Sequence, residues 1–243
     1  MEERTLVVLE KSLGPDHPDV SGPLLSLSIE LVRTGAYAEA RALSERALAI
    51  SEKAMGPDHP DVARSLGNLA NVLAKTGAYA EARALYARAL AIKEKALGPE
   101  HLLVAVSVID LASVLERVGA HAEARALYER ALAIEEKALG PEHLDVAGSL
   151  TNLAGVHLAL KRPQDARPLL ERALILYNAH EGRQNGEMYA QFRLAKALVA
   201  TQGNRARALA LAGEARAGYR EAGDDMEALA EVEQFLAEQE TGP

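Results

Sequence analysis

The chain has 243 residues, 49% of them hydrophobic, with 27 basic against 35 acidic side chains and a formal net charge of −8. That balance excludes the basic footprint of a nucleic-acid binder, and the apolar content excludes a disordered chain. With no Cys, disulfides and thiolate metal sites are also excluded. No signal-peptide pattern and no apolar run of about eighteen residues occurs, so a soluble, cytoplasmic chain without a membrane segment is expected.

Residues 1–13 predict a helix whose end reads Glu10-Lys11-Ser12-Leu13-Gly14, parallel to Glu52-Lys53-Ala54-Met55-Gly56 further on. It is therefore the second helix of a unit that lacks its first. Leu6, Val7, Val8 and Leu9 form a dense apolar cluster. A natural cap has a polar outer face, so we expect a piece of a longer protein, with self-association through the uncovered array ends.

Gly14-Pro15-Asp16-His17 then opens a connector that returns at Gly56, Gly98 and Gly140, a constant step of 42 residues (56 − 14, 98 − 56, 140 − 98), with Gly182 continuing it. A fixed step of this size marks a stacked-repeat architecture. Within each unit the pattern is helix, tight turn, helix. In the unit at 56–97, Asp58 is the expected N-cap, with Pro60 in the first turn and Asp61 at the positive helix end. Val62, Leu66, Leu69, Ala70 and Leu73 recur at helical spacing and define a buried face. Gly77 stops that helix by taking positive φ at little cost. The second helix is expected from about Tyr79 to Leu97, burying Ala82, Leu85, Tyr86, Ala89 and Leu90. Gly35 and Gly119 repeat the Gly77 turn, but Lys161 stands in the fourth unit with Pro163 after it, which predicts a turn built differently.

Past residue 182 the repeat decays. Met188, Phe192, Leu194, Ala195 and Leu198 still mark a helical face, Gly203 a turn, and Ala208, Leu211, Ala215 and Tyr219 a second face. After Gly223-Asp224-Asp225, a last amphipathic helix carries Met226, Leu229, Val232, Phe235 and Leu236. The expected organisation is a single array over 1–241. It consists of an orphan helix (1–13), full repeats at 14–55, 56–97, 98–139 and 140–181, a degenerate repeat at 182–223 and a capping helix at 224–241.

Leu66-x2-Leu69-Ala70-x2-Leu73, Gly77, then Ala82-x3-Tyr86-x2-Ala89 resembles the tetratricopeptide repeat. The small positions hold in every full unit: Ala40, Ala82, Ala124 and Ala166, then Ala47, Ala89, Ala131 and Ala173. The lengthened second helix and Asn-Leu-Ala at 68–70 and 152–154 are similar to the repeats of kinesin light chains and their bacterial relatives. The resemblance implies an all-α, right-handed superhelical solenoid of antiparallel helix pairs. It also implies a non-catalytic interaction scaffold that needs no cofactor. The 205–212 run is similar to repeat arrays attached to bacterial serine/threonine kinases, so the alternative is the regulatory segment of a larger signalling protein.

The chemistry-bearing residues have bland readings. His17, His59, His101 and His143 are in register, but equivalent side chains of stacked helices lie about 8–10 Å apart, too far to share a metal at about 2 Å. They are expected to bond the connector at helix starts. His157 stands where other units have Leu31, Leu73 and Leu115, and is expected to be packed and hydrogen-bonded. Glu135-Glu136 and Asp224-Asp225 are expected on a solvated face or at an N-cap. Arg41/Glu45, Arg125/Glu129 and Arg167/Glu171 read as i,i+4 surface pairs. No phosphate loop, nucleophile elbow, zinc-helix or kinase signature occurs.

A polar stripe on the first helices asks for more. Arg64, Asn68, Asn71 and Lys75 recur at 4-3-4 spacing opposite the apolar face, followed by Val106, Asp110, Ser113 and Arg117 in the next unit. The fourth unit gives Gly148, Asn152, Gly155 and Ala159, and the first Gly22, Ser26, Ile29 and Arg33. In the tetratricopeptide family the first helices line a concave groove. By that resemblance Arg64, Asn68, Asn71, Lys75, Asp110, Ser113, Arg117 and Asn152 hold a partner's peptide or helix, amides bonding its backbone and cations favouring an acidic element.

Overall fold

The computed structural model describes residues 2–180, 185–223 and 225–241, so Gly182 and Asp224 lie outside the described residues. These residues form twelve α-helices and no strand. In chain order they are α1 (Glu2–Leu13), α2 (Ser21–Arg33, after a 3-10 turn at Pro18–Val20), α3 (Tyr37–Met55), α4 (Pro60–Lys75), α5 (Tyr79–Leu97) and α6 (Leu102–Arg117). Then follow α7 (His121–Leu139), α8 (Leu144–Ala159), α9 (Pro163–Ala179), α10 (Asn185–Ala200), α11 (Arg205–Ala222) and α12 (Met226–Thr241). No described helix is long and apolar enough to cross a membrane.

The chain forms two compact units, Met1–Ala120 and His121–Pro243. In the first, each helix from α1 to α6 packs on the next in sequence, and the first helices α2 and α4 also touch. Ala40, Ala47, Ala82 and Ala89 are buried where helices meet, so the small side chains let the backbones approach. Val62, Ala63 and Leu66 of α4 pack on Ala89 and Ile92 of α5, while Leu69, Ala70 and Leu73 share a core with Ala82, Tyr86 and Val114. The second unit repeats the plan from α7 to α12, around a core that includes Ala166, Leu170, Ala173, Phe192, Leu194, Ala212 and Tyr219. The apolar face expected at 188–198 is buried throughout. Met226 is not part of the last helix's buried face, being 67% exposed, whereas Leu229, Val232 and Leu236 are buried. At α1 the expected cluster splits: Leu6 is buried, but Val7 and Val8 face outward.

The helix starts correct the capping assignment. His59, not Asp58, is the N-cap of α4, and its Nδ1 accepts the Asp61 amide at 3.2 Å. His17, His101 and His143 accept from Asp19, Leu103 and Asp145 in the same way. An imidazole nitrogen thus satisfies one of the orphan donors of the first turn. Asp58 instead pairs with Lys95 at 2.9 Å, and that bond holds its carboxyl below the usual range.

The fourth turn corrects a second expectation. Lys161 adopts φ 60°, in the same left-handed region as Gly77 at 81°. Its N–H donates to Leu158 O at 3.0 Å and Arg162 N–H to His157 O at 2.9 Å, as Gly77 does to Ala74 and Ala78 to Leu73. The turn is built alike, because the paired C-terminal carbonyls impose the conformation despite about 1–2 kcal/mol of side-chain strain. In the fifth pair Gln202 takes this place at φ 52°, and Gly203 follows it.

Candidate functional site

From Gly77 on, each left-handed turn between paired helices fixes a column nine positions upstream (77 − 68, 119 − 110, 161 − 152, 202 − 193): Asn68, Asp110, Asn152 and Arg193. Arg193 is the member that a 42-residue step misses, because the last interval is one residue shorter. Counting from the turn finds it.

In the first unit Asn68 is half-buried, and its Oδ1 accepts from Ser44 Oγ at 2.8 Å and Ser28 Oγ at 3.1 Å. Those hydroxyls lie 2.7 Å apart, and both reach the Ala40 carbonyl. The Asn68 oxygen is therefore committed to the junction of α2, α3 and α4, leaving only its amide hydrogens for an external acceptor. Asn71, Lys75 and Arg117 are exposed, and Arg64 lies 4.0 Å from Asp61. Ser113 donates to the Asp110 carbonyl at 2.8 Å, within its own helix. Arg33 meets Glu30 at 3.1 Å.

Asp110 is half-buried, and burial raises its carboxyl while the Lys93 charge opposes that rise. Burial lowers the Lys93 amine, with Asp110 opposing. Lys93 Nζ donates to Ser107 Oγ at 2.6 Å. Burial, and then the Asp110 charge, pushes the Tyr86 hydroxyl well above its usual range.

In the second unit Asn152 is half-buried, but Gly155 is not an open stripe position. A Cβ there would stand 2.7 Å from the Arg193 guanidinium, which donates to the Thr151 carbonyl at 2.7 Å and lies 5.9 Å from the Tyr189 ring centre. Glu135 is also off the solvated face, being buried with its carboxyl raised by burial, whereas Glu136 pairs with Arg172 at 2.5 Å. His157 is packed but not hydrogen-bonded: its Nδ1 has no partner and Asp165 stands 3.8 Å away. Among the described residues no group of three or more His, Asp or Glu is placed to hold a metal ion.

The second helices carry a different device. Arg41/Glu45, Arg125/Glu129 and Arg167/Glu171 are the expected i,i+4 pairs at 2.8, 3.4 and 3.1 Å. Arg46, Arg88 and Arg172 each bond a glutamate of the preceding second helix, Glu10, Glu52 and Glu136, and also a carbonyl of the connector that opens their own repeat, Pro15, Pro57 and Pro141. The recurring Arg-Ala-Leu was the visible signal, but its partners lie more than thirty residues upstream.

The tetratricopeptide repeat profile matches in four overlapping windows, residues 24–95, 61–137, 103–179 and 145–221. No curated protein matches the chain. Two crystal structures of Podosopora anserina putative kinesin light chain nearly identical TPR-like repeats are similar to it. One, of a single-substitution form, is 29% identical with TM-score 0.71, covering 85% of this chain and 98% of that one. The other is 30% identical with TM-score 0.69, covering 83% and 95%. BtubC (BKLC) from P. vanneervenii shares the fold at 20% identity and TM-score 0.74, over 88% of this chain and 85% of its own. By profile, helix pairing and the buried alanine positions, the chain belongs to the tetratricopeptide repeat family, whose members are in general non-catalytic scaffolds for protein–protein interaction.

Proposed function

We propose that the first-helix face of the unit Met1–Ala120 binds an acidic peptide segment of a protein partner, with no cofactor. Arg64, Asn68, Asn71, Lys75, Asp110, Ser113 and Arg117 line the face, and Asn152 holds the equivalent place in the other unit. The observation carrying this reading is a contrast in pairing. Arg41, Arg46 and Arg88 of the second helices each meet a glutamate. No described residue pairs with Asn71, Lys75 or Arg117, although the chain as a whole carries −8. Exposed cations held beside amide donors suit carboxylates and backbone carbonyls together.

The test is fluorescence anisotropy with labelled acidic peptides selected by display on the full chain. Lys75→Glu with Arg117→Glu should weaken binding about tenfold or more, since rim charges steer and select partners. Arg83→Ala on α5 should change it little. The reverse result would assign binding to the second-helix surface.

A further inference from the structure

Each column residue has a counterpart at a constant spacing back on the preceding second helix. The couples are Ser51 with Asn68, Lys93 with Asp110, Glu135 with Asn152, and Tyr177 with Arg193, spaced 17, 17, 17 and 16 residues apart (68 − 51, 110 − 93, 152 − 135, 193 − 177). Asp110 is the one acid in the column Asn68, Asp110, Asn152 and Arg193, and Lys93 is the one cation among the four counterparts; Lys93 bonds Ser107, one turn before Asp110 on α6. Where the counterpart is a serine or an acid, the column residue is an asparagine. Lys93 also occupies its site in the same way as its neutral counterpart: Ser51 Oγ lies 3.2 Å from Ser65 Oγ, and Lys93 Nζ lies 2.6 Å from Ser107 Oγ, the equivalent serine.

We propose that Lys93 is a specificity-determining residue for the first-helix face: from α5 it neutralises Asp110, so that an acidic ligand meets Lys75 and Arg117 without an opposing charge on the same face. This rests on the peptide-binding reading above. Both groups are partly withdrawn from water, so each sustains the other's ionised form, and removing one leaves an uncompensated charge. Alone, Asp110 would repel an acidic segment. Alone, Lys93 would add to the attraction.

The sister repeats supply fold-compatible substitutions. Lys93→Ser, Asp110→Asn and the double variant K93S/D110N recreate the Ser51/Asn68 couple, and the probe is a fluorescein-labelled hexaglutamate at low ionic strength. K93S should weaken binding about tenfold, D110N should tighten it about threefold, and the double variant should return to within about twofold of the wild type. Two single variants that both bind like the wild type would overturn the inference, as would a double variant as weak as K93S. Thermal melts separate this from failure of the binding reading. If the wild type ignores the probe, that reading falls, and the matched couple is then decided by melting: compensation in the double variant supports it, and simple additivity overturns it.

Discussion

Arg88 donates from Nη2 to the carbonyl oxygen of Pro57 at 3.1 Å, while its Nη1 meets Glu52 at 2.7 Å. One guanidinium thus ties α5 both to α3 and to the connector that opens its own repeat. Arg46 makes the same two bonds, and so does Arg172 in the other unit. The fork matters more than the charge, because a lysine ammonium cannot hold both acceptors in this planar arrangement.

Arg88→Lys is therefore expected to cost nearly as much as Arg88→Ala. The side chains are 40% and 35% exposed, so we expect about 1 kcal/mol rather than the larger value of a buried charged hydrogen bond. Urea denaturation of the full chain measures this. A lysine variant as stable as the wild type would show that charge alone is used.

The Lys161 turn makes the opposite prediction. Lys161→Gly removes the left-handed strain at φ 60° but adds backbone freedom to the unfolded chain. The net stabilisation should be about 0.5–1 kcal/mol, and Gly77→Ala should destabilise by a similar amount or more. A glycine variant no more stable than the wild type would place the strain elsewhere.

Much of the fold was legible because period, proline-glycine connectors and alanine positions all point the same way; the second helix expected at Tyr79–Leu97 has those bounds. The misses share a physical cause. Residue type at Lys161 spoke for a different turn, yet the carbonyls to be satisfied are set by the preceding helix, not by the turn residue. Asp58 looked like a cap because aspartate usually is one, but capping depends on which side chain stands directly before the first turn. In the candidate site, spacing revealed which face Asn68 occupies. It did not reveal that Ser28 and Ser44, forty and twenty-four residues upstream, hold its oxygen.

His157 supplies a pH-dependent prediction. Burial lowers its imidazole below the ordinary value of about 6.5, with Asp165 opposing and Arg125 assisting. On acidification the unfolded chain binds the proton first, so stability falls as pH drops below about 6.5 and levels off once the folded ring is protonated too. His157→Leu, the residue at the same place in the other repeats, should raise the melting temperature. The gain should be larger at about pH 5 than at about pH 8. An equal gain at both would mean the ring is not held neutral.

Ala124 is fully buried, and Glu129 is 51% exposed beside Arg125. Ala124→Leu should overpack the helix contact and cost about 1–3 kcal/mol. Glu129→Ala removes an exposed i,i+4 pair and should cost a few tenths. Equal shifts in melting temperature would mean the alanine is not the closest point of approach.

Asn68 and Asn71 share the α4 face but should separate stability from binding. Asn68 Oδ1 accepts contacts from Ser28 and Ser44, whose hydroxyls are buried and have only each other and the Ala40 carbonyl besides. Asn68→Ala removes their shared acceptor and should destabilise the chain by about 1 kcal/mol. Asn68→Asp keeps the acceptor oxygens, so it should recover most of that stability, yet it places a second negative charge on the face and should weaken an acidic peptide. Asn71 is exposed and unpaired among the described residues. Asn71→Ala should leave the denaturation midpoint unchanged while weakening the same peptide several-fold, as expected for the loss of about one neutral hydrogen bond. If Asn68→Ala alone weakens the peptide and Asn71→Ala does not, the contact runs through the serine junction, and the peptide lies deeper between α2 and α4 than the exposed stripe.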